Sequence, residues 1–482
     1  MNTSPRLLSG LILGCLSLVG LVGCGSDDSL GPGAECDPHY YYCPEGFVCA
    51  ELVTGGNRCF GELALRGEIT NTSDGSAVEG AQVMVLNEEG IAVTDFARTD
   101  GMGNYDLKNV PAKRNADGSP AGTYTLRTGA QAYQAFPSGV RAAPPIALSD
   151  ATSVEGKYTL DSTLTHIGLI PLGVGERSSM SGTIYDAADD SCALVVASGA
   201  SGVFSGLSDK SRNWTIFNLP PGDYEFRAYA VGMQIKSASA TVGRDPLSGL
   251  YLGYENTVGS TTTVTGSVQL VNAPGGALTS VMLVVADTFD PLAARGEAPP
   301  GLRSPRSGSA DVSGNFSISG VPNGRYVVLP AYENDDLVRD PNTDFVTIDV
   351  TGTFTGGPRP PPGTPPPPNV DLTVTAALPM ISPGAEAPER VTTKPKLVWG
   401  DDSSADYYDV RVFDAFGGEV WSSLMLPGVS GSATAAVQYA GPLERGMYYQ
   451  FQVTSWRAPG GEDPAPIAAT EGQRGVFYLP AP

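Results

Sequence analysis

The side chains of this 482-residue chain that could do chemistry are few, and their types suit bridging and binding better than turnover. Cys36, Cys43, Cys49 and Cys59 crowd one short stretch, "CDPHYYYCPEGFVC" and the residues just after it. In an exported chain such a cluster forms two disulfides, and its spacing does not choose among the three pairings that four cysteines allow. Zinc ligation by these thiolates and His39 is the other use of the cluster, which has no Cys-x-x-Cys pair. Cys192, in "DDSCALVV", heads an apolar run and reads as a small buried hydrophobe. The acidic loop "ENDDLVRDPNTD" offers Asp335, Asp336, Asp340, Asn342 and Asp344, oxygen ligands of the kind calcium takes. Its spacing is not that of an EF-hand, and the competing reading is a solvated loop in which Asn and Asp close local turns. Tyr40, Tyr41, Tyr42, Trp421 and Trp456 could stack on a ligand, or cover the disulfides and pack on cores. The two histidines, His39 and His166, stand near no nucleophile motif, and HExxH, GxSxG and GxxxxGK are absent. Asp and Glu are scattered throughout, so hydrolysis by a carboxylate pair, an accessory or cryptic hydrolase, is the alternative of another class, without a cleft-forming architecture to support it. The sequence therefore names no catalytic residue, and a non-enzymatic protein is expected.

Composition bounds the elements that must carry these groups. Lys+Arg 29 against Asp+Glu 51 gives a net charge of −22, which disfavours nucleic acid and anionic lipid as partners. With 60 Gly, 40 Pro and only 17% charged residues, the chain has the profile of a turn-rich all-β protein. Its length implies about three or four domains.

The N-terminus reads as an address. Arg6 precedes the apolar run "LLSGLILGCLSLVGLVG", and "LVGC" closes it at Cys24. This resembles a bacterial lipoprotein signal peptide with its lipobox. The resemblance implies cleavage after residue 23, lipid on the Cys24 thiol and, because Gly25 follows, transfer to the outer membrane of a Gram-negative cell. The membrane is then a partner through the anchor alone. Residues 24–34 form a tether and 35–60 a module too small for a core, held by its disulfides.

One phrase occurs three times: "GNYDLKNVP" at 103, "RNWTIFNLPPGDYEF" at 212 and "GNFSISGVPNGRYVV" at 314. In each, Asn is followed by an aromatic (Tyr105, Trp214, Phe316) and then by an apolar residue two positions on (Leu107, Ile216, Ile318), the alternation of a half-buried strand. Val110-Pro111, Leu219-Pro220 and Val321-Pro322 end the pairing, and Gly-x-Tyr opens the next run at Tyr124, Tyr224 and Tyr326. The expected unit is strand, tight turn, strand. In the first copy the insertion "AKRNADGSP" lengthens the turn, a polar addition that the fold is expected to tolerate.

Upstream of the first copy, "LRGEITNTSDGSAVEGAQVMVLNEEGIAVTDFARTD" carries Gly67-x-Ile69, Val78-x-Gly80-Ala81-x-Val83-x-Val85 and Thr99-Asp100. With the phrase, this resembles the carboxypeptidase regulatory-like domain, a transthyretin-like sandwich grouped with carbohydrate-binding-like folds, over about 61 to 165. The second copy (181 to 242) has no Gly-Ala-x-Val strand, and the third (264 to 350) has "SVMLVV" there and the insertion "FDPLAARGEAPPGLRSPRSG". The family's domain contains no catalytic residues. After it comes "GGPRPPPGTPPPPN", an extended spacer on the order of 40 Å. "KLVWGD", "YYDVRVFD" and "LERGMYYQFQV" then resemble a fibronectin type III domain over about 376 to 480, with Trp399 in its core and Leu443 and Tyr449 at a tyrosine corner.

The expected architecture is all-β, with tandem β-sandwiches at 61–172, 173–260, 261–353 and 370–482, and a proline-rich linker at 354–369. Such a chain is a stalk that presents surfaces. Envelope or extracellular proteins are the expected partners, and polysaccharide the alternative. No cofactor beyond the Cys24 lipid is implied, apart from the calcium candidate.

Overall fold

The computed structural model describes residues 31–38, 43–185, 192–253, 261–271, 276–277, 279–305, 314–351, 368–429, 431–458, 460 and 463–481. Cys24, His39, Tyr40, Tyr41, Tyr42 and most of the proline-rich run lie outside the described residues. Within them the chain is strands and turns with two single-turn 3-10 helices, Leu148–Asp150 and Ala286–Thr288. The fold is all-β and built of sandwiches in tandem. No helix among the described residues is long and apolar enough to cross a membrane.

Three stretches repeat one plan. A first strand (Leu63–Asn71, Ser178–Tyr185, Thr262–Leu270) pairs antiparallel with the strand of the repeated phrase (Asn104–Leu107, Asn213–Leu219, Asn315–Val321). It also pairs in parallel with a closing strand (Ile167–Leu169, Leu247–Gly253, Asn369–Ala376). In the facing sheet an apolar strand (Gln82–Leu86, Leu194–Gly199, Val281–Val285) pairs antiparallel with the strand that holds the Gly-x-Tyr tyrosine (Thr123–Gly129, Gly222–Ala230, Gly324–Pro330). Alternate residues of the two sheets meet in the middle. Ile69, Val85 and Tyr105 do so in the first sandwich, Val195, Trp214 and Phe226 in the second, Leu283, Phe316 and Ile318 in the third.

The repeated phrase now has its physical reason, and it is not a hairpin. Its strand and the following tyrosine strand lie in opposite sheets, so the proline turn carries the chain across the core. The residue before the apolar-Pro pair is left-handed in every copy: Asn109 at φ 53°, Asn218 at φ 64° and Gly320 at φ 74°. Asn and Gly are the residues that take this conformation at low cost. Each proline then ends its ladder, and each tyrosine hydroxyl reaches back to that proline's carbonyl. Tyr224 bonds Pro220 and Tyr326 bonds Pro322, each at 2.9 Å, and Tyr124 bonds Pro111 in the same way. The second copy also has its apolar strand. The apolar run that Cys192 heads fills that place without the Gly-Ala cue, as Leu194–Gly199.

The domain reading needs one change. It ended the third sandwich at 353 and began the last at 370, with the proline run between them as spacer. Yet Asn369–Ala376 pairs in parallel with Thr262–Leu270, so that run joins two strands of the third sandwich. A proline run stops pairing without saying which element comes next, and "NVDLTVTA" alternates like any half-buried strand. The last sandwich has one sheet of Met380–Ser382, Lys396–Gly400 and Thr434–Gln438, facing a larger sheet that contains Tyr407–Asp414, Glu419–Pro427 and Tyr448–Arg457. Trp399, 1% exposed, sits in its core with Tyr408 and Phe451, and the Tyr449 hydroxyl accepts the Glu444 N–H at 3.0 Å.

Candidate functional site: sheet edges and the joints between sandwiches

The residues singled out by type separate cleanly in space. Cys36 bridges to Cys49 and Cys43 to Cys59, which selects one of the three pairings and leaves no thiolate for zinc. Cys192 is 5% exposed, donates to the Ser208 carbonyl at 3.2 Å, and burial pushes its thiol up to about 11, so it is inert at neutral pH. Among the described residues, no three carboxylates converge within 4.8 Å. In the acidic loop Asp340 accepts the Asn342 N–H at 3.0 Å, Asp335 accepts the Leu337 N–H at 3.3 Å, and the Asp336 side chain is 94% exposed. Its acids close local turns. Trp421 stands edge-on to Tyr439 at 5.4 Å and packs on the last sandwich's core, while Trp456 stacks on Tyr407 at 5.9 Å. Both tryptophans are half-buried against their own domain. His166 pairs with Asp161 at 2.9 Å, beside no nucleophile.

What the fold does bring together are the sandwiches themselves. The strands Gln82–Leu86 and Val281–Val285 are buried throughout, because both faces are covered. Val83 and Val85 fill the first core, while Met84 and Leu86 join a second apolar cluster with Cys192, Leu194 and Val196 of the next sandwich. Tyr229 of the second sandwich meets Tyr326 of the third edge-on at 5.9 Å.

Polar joints fix the registry. The Asn218 carboxamide oxygen accepts the Ala132 N–H at 2.7 Å, and its nitrogen donates to the carbonyls of Ala130 at 3.1 Å and Tyr133 at 2.8 Å. The Gly320 carbonyl accepts the Gly232 N–H at 2.8 Å, and the Asn323 N–H donates to Gln234 at 2.8 Å. Arg295, in the third sandwich's insertion, donates to Gln450 Oε1 at 2.8 Å and to the carbonyls of Gly139 and Gly472, so one guanidinium holds three sandwiches. Burial lowers its pKa to about 10. Arg141 lies 4.7 Å over Phe136 and 4.4 Å over Tyr448, which ties the first sandwich to the last. Between third and last, Glu471 accepts the Asp336 N–H at 2.7 Å and pairs with Arg474 at 2.6 Å, and burial raises its carboxyl above the usual range.

The first insertion does comparable work. Residues 113–121 form a small hairpin whose Arg114, fully buried, donates to the Gly61 carbonyl at 2.8 Å and lies 5.1 Å over Tyr158. Its own carbonyl accepts the Val53 N–H at 2.9 Å, so the hairpin clamps the disulfide module onto the first sandwich. The insertion is thus a docking element as well as a lengthened turn.

Among the strands that end a sheet are Leu247–Gly253 and Glu419–Pro427. They carry exposed apolar side chains: Tyr251 at 68%, beside Tyr185 at 62%, on the first, and Leu424 at 50% and Met425 at 69% on the second.

The fold thus defines a tandem β-sandwich protein in which no catalytic constellation is assembled among the described residues. No protein-family model matches the chain, and no curated protein does. Among solved structures it is similar to the Bacillus anthracis TIE protein, at 10% identity over 87% of this chain and 73% of that one, with a TM-score of 0.17. It is similar also to BcpA, the major pilin subunit of Bacillus cereus (11% identity, 65% and 99% covered, TM-score 0.16) and to GBS52, the minor pilin of Streptococcus agalactiae (12%, 44% and 100%, TM-score 0.18). At these scores the likeness carries no functional weight, and function has to be read from this chain's own residues.

Proposed function

We propose that the chain is a non-catalytic envelope lipoprotein, held at the outer membrane through lipid on Cys24, which presents its sandwiches for contact with other proteins. On this reading the first three are carboxypeptidase regulatory-like modules and the last is fibronectin type III-like. The observation that carries protein contact is the exposed apolar side chains on two strands that end a sheet, Leu247–Gly253 and Glu419–Pro427. An open edge presents a row of backbone donors and acceptors to any extended segment, and alternate side chains give the contact its selectivity. Polysaccharide binding is the weaker reading, because Trp421 packs edge-on with Tyr439 and Trp456 stacks on Tyr407, each within its own sandwich.

The fragment from Gly25 onward, applied to a glycan array and crosslinked on cells, separates the two. A crosslinked envelope protein without glycan binding is expected. Glycan binding lost on substituting Trp421, Trp456 or Tyr40 to Tyr42 would overturn the assignment.

A further inference from the structure

The four cysteines of the disulfide module form one sulfur cluster and not two separate bridges. The Sγ atoms of Cys36, Cys43 and Cys59 lie within 4.8 Å of one another, so the Cys36 end of the Cys36–Cys49 bridge stands against both sulfurs of Cys43–Cys59. Cys36, Cys43 and Cys49 are half-buried, and Cys59 is 1% exposed. When a thiol opens the first bridge at Cys49, the thiolate released at Cys36 already has a second disulfide in front of it.

The strand register decides which pairing can follow. Glu35 pairs with Arg58 and the Cys36 N–H donates to the Asn57 carbonyl at 3.1 Å, so Cys36 is diagonal to Cys59, with about 7 to 8 Å between α-carbons, too far for a bridge. Cys49 stands directly opposite Cys59 in the hairpin of Phe47–Glu51 and Asn57–Gly61. Both backbone groups of Cys59 are engaged on its other side, the N–H with the Ala34 carbonyl at 2.9 Å and the carbonyl with the Gly33 N–H at 2.8 Å. Cys49 and Cys59 are therefore a cross-strand pair without mutual hydrogen bonds, the kind whose α-carbons approach to about 4.5 Å, inside the range that a disulfide spans.

We propose that a small thiol rearranges the module from Cys36–Cys49 and Cys43–Cys59 to Cys36–Cys43 and Cys49–Cys59, and so unfastens the hairpin from the segment that precedes it. The external thiolate attacks Cys49 Sγ, breaks the Cys36–Cys49 bond and remains on Cys49 as a mixed disulfide. The Cys36 thiolate attacks Cys43 Sγ, and the electron pair of the Cys43–Cys59 bond leaves on Cys59. The Cys59 thiolate then attacks Cys49 Sγ across the hairpin, closes the new bridge and expels the external thiolate unchanged. Two intramolecular disulfides are present before and after, so no oxidant or reductant is consumed. At the start both bridges cross from the preceding segment to the hairpin; at the end one bridge lies within each piece. The segment is then held by the chain itself and by backbone bonds, those of Gly33, Ala34 and Cys36 to Cys59 and Asn57. Among the described residues the free cysteine is Cys192, 5% exposed in another sandwich, so the attacking thiol comes from outside the chain. The rearrangement is independent of what the sandwiches contact.

Two measurements test it. The full chain, oxidised and incubated with glutathione at a fraction of its own concentration, should yield Cys36–Cys43 and Cys49–Cys59 peptides in equal amounts when mapped after acid quenching. Their amount should exceed the glutathione added, with no gain in free thiol. A chain that keeps only its original pairing, that gains free thiol in step with glutathione consumed, or that maps to Cys36–Cys59 and Cys43–Cys49 would overturn the exchange. Cys36→Ser combined with Cys43→Ser reaches the product hairpin without any exchange. It should close Cys49–Cys59 on air oxidation, and the Cys59 amide, whose partner Ala34 is no longer fastened, should exchange hydrogen more than about tenfold faster than in the parent chain. Free thiols at Cys49 and Cys59 would overturn the cross-strand bridge, and unchanged exchange at the Cys59 amide would overturn the unfastening.

Discussion

The turn that follows each repeated strand and the two insertions that interrupt the repeats differ in where their bonds go. The turn occurs in every copy, and its proline carbonyl and tyrosine hydroxyl bond within one sandwich, as with Pro220 and Tyr224. The insertions occur in one copy each and bond outward. Arg114 holds the disulfide module through Val53, and Arg295 holds Gln450 of the last sandwich. What the copies share builds domains; what they do not share fixes how the domains stand against one another. The left-handed corner does both, since Asn218 and Gly320 turn the chain within one sandwich and bond to the next.

The largest break in this contrast comes from the one piece with no sandwich core. Removing Cys36–Cys49 and Cys43–Cys59 by serine substitution should cost the module about 2 to 5 kcal/mol per bridge and unfold it. Proteolysis confined to residues 31–60, with the sandwiches intact, is the expected result. Next is Arg295→Met, which removes a charged donor from three acceptors and should cost about 3 kcal/mol. Urea unfolding followed by probes in the first and last sandwiches should then lose its coincidence. Arg295→Lys should not restore it, because an ammonium cannot span the fork. The corner is sharpened by a matched pair. Asn218→Ala loses the carboxamide bonds and strains the backbone, about 2 kcal/mol together, whereas Asn109→Ala in the isolated chain meets only the strain, about 1 kcal/mol. Equal losses would show that Asn218 contributes nothing across the joint.

The smallest effect is that of pH at the joint of the third and last sandwiches. Burial raises Glu471, and also Glu333 and Asp335 beside it, so the folded state holds these protons more firmly than the unfolded one. Stability therefore falls as pH rises above about 4.5, the ordinary glutamate value, and recovers on acidification, a dependence that Glu471→Gln should flatten. Thermal midpoints across that range would check the sign.

Much of the fold was legible because its determinants are local. Asn104, Tyr105, Leu107 and Pro111 state a strand and its end, and the two later copies repeat the statement. Opposite-sheet placement of the two flanking strands was not legible, because a turn's sequence fixes its backbone angles and not the partner each flanking strand finds. The same limit hid Asn369–Ala376, whose partner Thr262–Leu270 lies far back in the chain. Of the candidate residues, the cysteines could be placed but not paired, since pairing depends on the hairpin Phe47–Glu51 and Asn57–Gly61 that sets Cys49 against Cys59. The outward burial of Met84 and Leu86 has no local signature, because it is set by another sandwich.

The most direct measurement is small-angle scattering of the monomer from Gly25 onward. A stack locked by Arg295, Arg141 and the two corner joints predicts a radius of gyration of about 22 to 28 Å, near that of a compact chain of this length. Sandwiches strung apart on flexible connections would give a value above about 40 Å, and that result would contradict the packed arrangement from which the joints are argued.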